Sequence, residues 1–402
     1  MTTKYNRSLA AALLTVASLG SMSLASAAGV AQAAQQLEVA GGFITVSDTL
    51  AATYGQDIPL PSTSFADAHG AKVTMNHLVK GAYFFTVRGA TPGSSAAGFV
   101  GGVTHAMSTG IKNHSSCHAT EITRAGKDLF FGAVCVDAGG APSDHSFDET
   151  YSQGVPEEGQ VTLVRREFPL NVNGKLEPTF HRTNGRTDSS TLERTAKGRY
   201  TVVTPRLAGT GGESFAVTSE DPERVAERTN CHFLSHKSVN AGKNEEFKVA
   251  CDNFSVIDGV AKPVDPTGLQ LSYSRGASII GLKSVASDAH VNVPFLTAGT
   301  ITPSGQRNRI YGANSGKITV KHDPTRKGNY IVRLPAQGSG IGSSATIVTA
   351  TSSGFAYCSK TQEVTVPTST PGRFDRHLTV VCQNASGLNV DSGFELQYIA
   401  KQ

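Results

Sequence analysis

Tryptophan is absent from the 402 residues and methionine occurs only 4 times. Sandwich domains that hold sugars commonly do so on exposed aromatic platforms, so the missing indoles count against that kind of glycan site. Charge of one sign is equally scarce. Lys and Arg total 36 against 32 Asp and Glu, and removing Lys4 and Arg7 with an N-terminal leader leaves 34 against 32. No basic run or basic helical stripe interrupts this balance, which argues against nucleic acid as a partner. Beyond the leader nothing approaches the roughly 18 consecutive apolar residues of a spanning helix, so no transmembrane anchor is expected.

Local signatures of chemistry are missing as well. The mature chain holds no nucleophile elbow of the Gly-x-Ser-x-Gly type and no His-Glu-x-x-His zinc pattern. Gly338-Ser339-Gly340-Ile341-Gly342 is rich in glycine but lacks the lysine of a phosphate loop. Neither the twelve-residue EF-hand loop nor a Gly-rich Asp nonapeptide repeat is present; the Asp and Asn residues of the turns offer calcium an alternative site, but turn chemistry explains them without a metal. No cofactor is implied by any of these patterns.

The chain does carry a secretory leader. Lys4 and Arg7 precede an apolar stretch from Leu9 to Leu24 and the small-residue triplet Ala25-Ser26-Ala27. This predicts a signal peptide over 1–27, with a second small-residue cleavage site after Ala33. A secreted or periplasmic location follows. The remaining residues include 42 Gly with abundant Thr, Ser and Val, a composition of strands and turns rather than helices.

Internal self-similarity sets the expected architecture. Gly81-Ala82-Tyr83, Gly198-Arg199-Tyr200 and Gly328-Asn329-Tyr330 each open a strand with period-two apolar residues. A Cys follows each (Cys117, Cys231, Cys358), and a second Cys ends an alternating strand (Cys135, Cys251, Cys382). Each unit then closes on a last alternating strand: Phe147, Glu149, Tyr151; Leu269, Leu271, Tyr273; Phe394, Leu396, Tyr398. The predicted fold is all-β: three tandem antiparallel β-sandwich modules, immunoglobulin-like, with one disulfide each. Their boundaries are 38–154, 158–275 and 289–402, with a polar linker near Gln153 to Glu158 and a more apolar junction near Arg275 to Asp288. Units of this length can each bury a core of their own, so independent beads are favoured over a closed pseudo-threefold assembly.

Six cysteines admit 15 pairings, and their recurrence selects one: Cys117 with Cys135, Cys231 with Cys251, Cys358 with Cys382. Loops of this length give roughly 3 kcal/mol each in the chain-entropy model, so stapling is the expected role. A metal site using the adjacent His118 and His232, the latter near His236, is disfavoured because the third unit has Ser359 at that place. Asp144, Asp265 and Asp391 stand at equivalent points before the last strands. Their repetition reads as turn formation, although a carboxylate pair for glycoside hydrolysis leaves no spacing signal of its own.

The order of Gly-x-Tyr strand, Cys, strand-Cys, turn and closing strand resembles repeats of secreted bacterial proteins without assigned activity, and that resemblance implies export and modularity only. The expected function is a non-enzymatic secreted bacterial repeat protein with a binding or structural role outside the cytoplasm, its partner an extracellular protein or glycan. One alternative is a secreted hydrolase with a site in one module or between modules, for which His105, His114 and His145 should converge. Another is an inhibitor of an extracellular enzyme.

Overall fold

The computed structural model describes residues 41–60, 72–88, 103–109, 115–120, 122–125, 128–152, 160–166, 170–178, 180–183, 190–207, 213–220, 229–255, 258–275, 287–295, 299–301, 303, 305–310, 313–338, 343–352 and 354–401. The predicted signal peptide with both cleavage sites, the linker near Gln153 to Glu158 and most of the junction after Arg275 lie outside the described residues. Those that are described form an all-β structure with a single short helix.

In the first stretch of chain the strands are β1 (Gly41–Val46), β2 (Gly55–Pro59), β3 (Lys72–Val79), β4 (Ala82–Arg88), β5 (Val103–Ser108), β6 (Ser116–Ala119), β7 (Thr123–Ala125), β8 (Asp128–Val136) and β9 (Phe147–Ser152). The helix, α1 (Asp48–Ala51), follows β1 and is capped by the Ser47 hydroxyl, which accepts from Leu50 N. The second stretch contains β10 (Gln160–Arg166), β11 (Gly174–Leu176), β12 (Phe180–Thr183), β13 (Thr191–Ala196), β14 (Arg199–Pro205), β15 (Glu213–Glu220), β16 (Thr229–Val239), β17 (Asn244–Ser255), β18 (Val260–Pro263) and β19 (Gly268–Arg275). The third contains β20 (Ser287–Val293), β21 (Gly299–Ile301), β22 (Gly305–Ile310), β23 (Ala313–Asn314), β24 (Thr319–His322), β25 (Asn329–Leu334), β26 (Ser343–Thr351), β27 (Tyr357–Pro367), β28 (Phe374–Gln383) and β29 (Gly393–Lys401).

All three stretches pair their strands in one order. An inner layer runs β1-β9-β5, β10-β19-β15 and β20-β29-β26, while a second layer runs β3-β4-β8-β6, β13-β14-β17-β16 and β24-β25-β28-β27. Apolar residues at period two on both layers meet in a core within each stretch. Tyr83, Tyr200 and Tyr330 are buried in these cores, as are the phenylalanines and leucines of the closing strands.

The stretches do not behave as separate beads: residues 38–402 form one compact unit. Strand β15 of the second stretch runs parallel to β6 of the first, where Glu220 pairs with Ala119. Strand β26 of the third runs parallel to β16 of the second in the same way, where Phe233 pairs with Thr351. The remaining junction is made by β5 of the first stretch against β27 of the third, where Ser108 Oγ and the Tyr357 hydroxyl are 2.5 Å apart. Each of β5, β15 and β26 also packs on the inner layer of the next stretch, so the contacts close into a ring.

This arrangement reverses the preference for independent packing, and the reason lies in the closing strands. Polar residues alternate with apolar ones along β9, β19 and β29, a pattern that ordinarily puts the polar face in water. Here Asp148, Gln270 and Glu395 are all buried, because that face packs on the neighbouring stretch. For two of the three, hydrogen bonds make the burial tolerable: Thr104 N donates to Gln270 Oε1 at 2.6 Å and Thr346 N donates to Asp148 Oδ2 at 2.9 Å, at matching places in two junctions.

Candidate functional site

The cysteines occupy facing positions on neighbouring strands. Cys117 and Cys135 are register partners across β6 and β8, and Cys358 and Cys382 across β27 and β28, as are Cys231 and Cys251 across β16 and β17. All three pairs are disulfides, with Cα atoms 4.1, 4.1 and 4.0 Å apart. They staple adjacent strands of one sheet, unlike the bridge of antibody domains, which spans two sheets. Cys117, Cys231 and Cys358, the first cysteine of each pair, help line a cavity of about 30 Å³ together with Met107, Thr218 and Thr349, so that all three stretches contribute to it. That space admits a water or two, far less than a substrate or cofactor needs.

Polar groups converge most densely at the Gly-x-Tyr turns. Gly81, Gly198 and Gly328 adopt φ of 72°, 64° and 68°. A Cβ at these positions would lie 2.4, 2.4 and 2.5 Å from the carbonyl oxygens of Cys135, Cys251 and Cys382, so only glycine fits. The amides of those same cysteines donate to the carbonyls of the three glycines at 2.7, 2.8 and 2.9 Å.

Each glycine N–H points at an aspartate. Gly81 N donates to Asp144 at 2.7 Å, Gly198 N to Asp265 at 2.8 Å and Gly328 N to Asp391 at 2.7 Å. A basic side chain from the preceding strand completes the cluster. His77 Nε2 is 3.1 Å from Asp144, and His322 Nε2 is 2.8 Å from Asp391. Arg194 grips Asp265 with two nitrogens at 3.0 and 2.8 Å. Tyr54 OH donates to Asp144 at 2.6 Å and Tyr200 OH to Asp265 at 2.8 Å. Burial raises the carboxyls of Asp144 and Asp265, but these donors outweigh it and hold both below the usual aspartate range. Burial, and after it the bond to Asp265, pushes the Tyr200 phenol up.

These clusters look like acid–base sites and act as latches. Their donors and acceptors are occupied by a turn's backbone, and each latch ties the β3-β4, β13-β14 or β24-β25 hairpin to the loop before the closing strand. Comparison with family models, curated proteins and solved structures finds no match to this chain. What the arrangement can do must therefore be read from its own residues.

Among the described residues the histidines have separate surroundings. His105 is buried between Thr218 Oγ1 and Ser272 Oγ at 3.1 and 2.9 Å, and burial pushes its pKa down to about 3. His145 lies in the β8-β9 loop beside Asp144, where burial lowers it. Among the described residues it shares no hydrogen-bond partner with His105, and His114 lies outside them. His118 meets Ser116 and Ser219, while His232 sits edge-on to Phe355 and is pushed down to about 4 by burial and by Arg199. Among the described residues no three His, Cys, Asp or Glu side chains are grouped as a metal site.

Sequence reasoning missed a buried ionic cluster where the ring closes. Lys360 Nζ lies 2.7 Å from Asp148 and 3.0 Å from Glu363, which in turn meets Arg376 at 3.3 Å. Burial opposes the charge on Lys360, but Asp148 and Glu363 outweigh it and hold the ammonium above its ordinary range. Glu363 is lowered on balance: burial pushes it up, and Lys360, Ser344 and Arg376 more than compensate. No local spacing announces this cluster, since Asp148 and Lys360 are far apart in sequence.

Proposed function

We propose that this chain is an exported, non-enzymatic protein in which three β-sandwich modules, immunoglobulin-like in size and two-layered build, form one ring that binds an extracellular protein or glycan or serves a structural role. The modules are 38–154, 158–275 and 289–402. The reading rests above all on one observation: the polar clusters that most resemble sites, at Asp144, Asp265 and Asp391, recur at matching places and are consumed in holding turns. A catalytic pair has no need to be repeated in three places, whereas a framework does. Three disulfides, and the lack among the described residues of any helix long and apolar enough to cross a membrane, fit export to a secreted or periplasmic location. Function on such a scaffold resides in the loops that differ between copies.

The purified, oxidised full chain should be retained by a component of culture fluid or of isolated cell walls, in a saturable manner, and leave that component chemically unchanged. Turnover of a peptide, ester or glycoside by the chain, abolished by one polar-to-alanine substitution, overturns the proposal in favour of a hydrolase.

A further inference from the structure

Strand β9 departs from its two counterparts at one core position. Phe147 and Tyr151 face inward from β9, as Leu269 and Tyr273 do from β19 and Phe394 and Tyr398 from β29. Between them stand Leu271 and Leu396 in the second and third stretches, and Glu149 in the first. Glu149 is fully buried, with Ile44 of β1 and Ala106 of β5 as its register partners, both of them core residues. Neither carboxyl oxygen has a hydrogen-bond partner among the described residues. A leucine would satisfy this place at no electrostatic cost, while an ionised carboxylate in such surroundings is among the most expensive groups a core can hold.

The titratable groups on the surrounding elements are turned elsewhere or already engaged. His77 on β3 and Tyr83 on β4 are held at Asp144. Tyr151, on the same strand, stacks on Phe131, and Cys117 and Cys135 are joined to each other. His105 on β5 points to Thr218 and Ser272, and His118 on β6 to Ser116 and Ser219. Asp148 lies on the opposite face of β9 against Lys360, Asp128 sits at the mouth of β8, and β1 carries no ionisable side chain. Burial pushes the Glu149 carboxyl well above the usual glutamate range.

We propose that Glu149 is a built-in pH-dependent weak point: the first sandwich stays closed with this carboxyl protonated and opens ahead of the other two as pH rises and the side chain ionises. The sign follows from linkage. A carboxyl that holds its proton more tightly when folded contributes full stability below the ordinary glutamate range, and that stability is lost as pH climbs toward the folded-state value. The closed-to-open ratio of the first stretch should fall by up to about tenfold per pH unit in that window. Asp148 and Glu395, also raised by burial, contribute to the overall pH profile, so the test needs a difference confined to Glu149.

Hydrogen exchange followed by mass spectrometry on the whole oxidised chain resolves 41–152 from 160–275 and 287–401. Wild type, Glu149→Gln and Glu149→Leu are compared at pH 5 and pH 8 after correction for intrinsic exchange. Wild type should lose tenfold or more protection in 41–152 beyond any loss elsewhere, and both variants should abolish that excess. If Glu149→Leu packs poorly, Glu149→Gln, which keeps the shape and cannot ionise, still isolates the pH dependence. An excess that persists in Glu149→Gln, or a loss spread evenly over all three regions in wild type, overturns the proposal.

Discussion

The junction between the first and third stretches and the junction between the first and second are built on equivalent strands, and in each a backbone N–H meets an acceptor of a different charge beside a buried ion pair. At one, Asp148 of β9 accepts from Thr346 N and faces the Lys360 ammonium, a buried ionic cluster. At the other, Gln270 of β19 accepts from Thr104 N and its amide donates to Glu220, which pairs with the buried Arg165 at 2.6 Å, while His105 nearby is kept neutral by its burial. The shared backbone bond fixes the geometry; the side-chain head is free to be charged or neutral provided its neighbours answer it. At these two junctions the position of the acceptor is held more tightly than its charge.

The largest expected effect tests the cluster around Lys360. Lys360→Met leaves Asp148 buried without its cation and Glu363 with Arg376 alone, and should cost about 3–5 kcal/mol, whereas Lys360→Met combined with Asp148→Asn, which removes the orphaned charge and keeps an acceptor for Thr346 N, should recover part of that loss. Urea denaturation of the full chain measures both, and equal instability of the single and double variants would remove the ionic explanation. Gln270→Leu strips the other junction of its acceptor, leaving Thr104 N unsatisfied while Glu220 keeps Arg165, and should cost about 1–3 kcal/mol by the same measurement. A Gln270 loss as large as that of Lys360 would erase the distinction between losing a cation and losing a neutral acceptor.

Acid provides a third comparison, between latches and junction. Asp144, Asp265 and Glu363 all have carboxyls held below their ordinary range, so their contribution is present above that range and fades as pH falls through the lower folded values. Asp265→Asn should flatten the acid limb of the stability profile, measured by thermal melts between pH 2 and 6, because a bidentate arginine loses its charged partner. The smallest effect is expected at the surface. Arg88 and Asp57 are 3.6 Å apart and mostly exposed, so Arg88→Ala should change stability by no more than about 0.5 kcal/mol. A larger change there would show that exposure does not separate weak from strong pairs in this molecule.

Much of the framework is legible in the amino-acid sequence itself. The Gly-x-Tyr strands, the cysteine spacing and the late aspartates carry local signals, and each maps to a local device: a left-handed turn, a cross-strand staple, a carboxylate latch. His77, Arg194 and His322 escape notice because three different contexts and two residue types disguise one role. The ring itself is illegible there for a physical reason. Alternation of polar and apolar residues along β9, β19 and β29 specifies two faces but does not say whether the polar face meets water or a hydrogen-bonded neighbour. Glu149 is visible in its strand, yet its oddity emerges only when Leu271 and Leu396 are laid beside it on the same side of equivalent cores.

The burial of the cysteines bears on how this molecule would meet a reducing environment. Cys117 and Cys135, Cys231 and Cys251, and Cys358 and Cys382 each sit in the core of their own stretch, and none of the six is more than 6% exposed. Exchange requires an attacking thiolate to reach sulfur, so reduction should follow the opening of that core. The rate at which thiols become titratable would then report how often each core comes apart, a clock for unfolding written into its own cross-links.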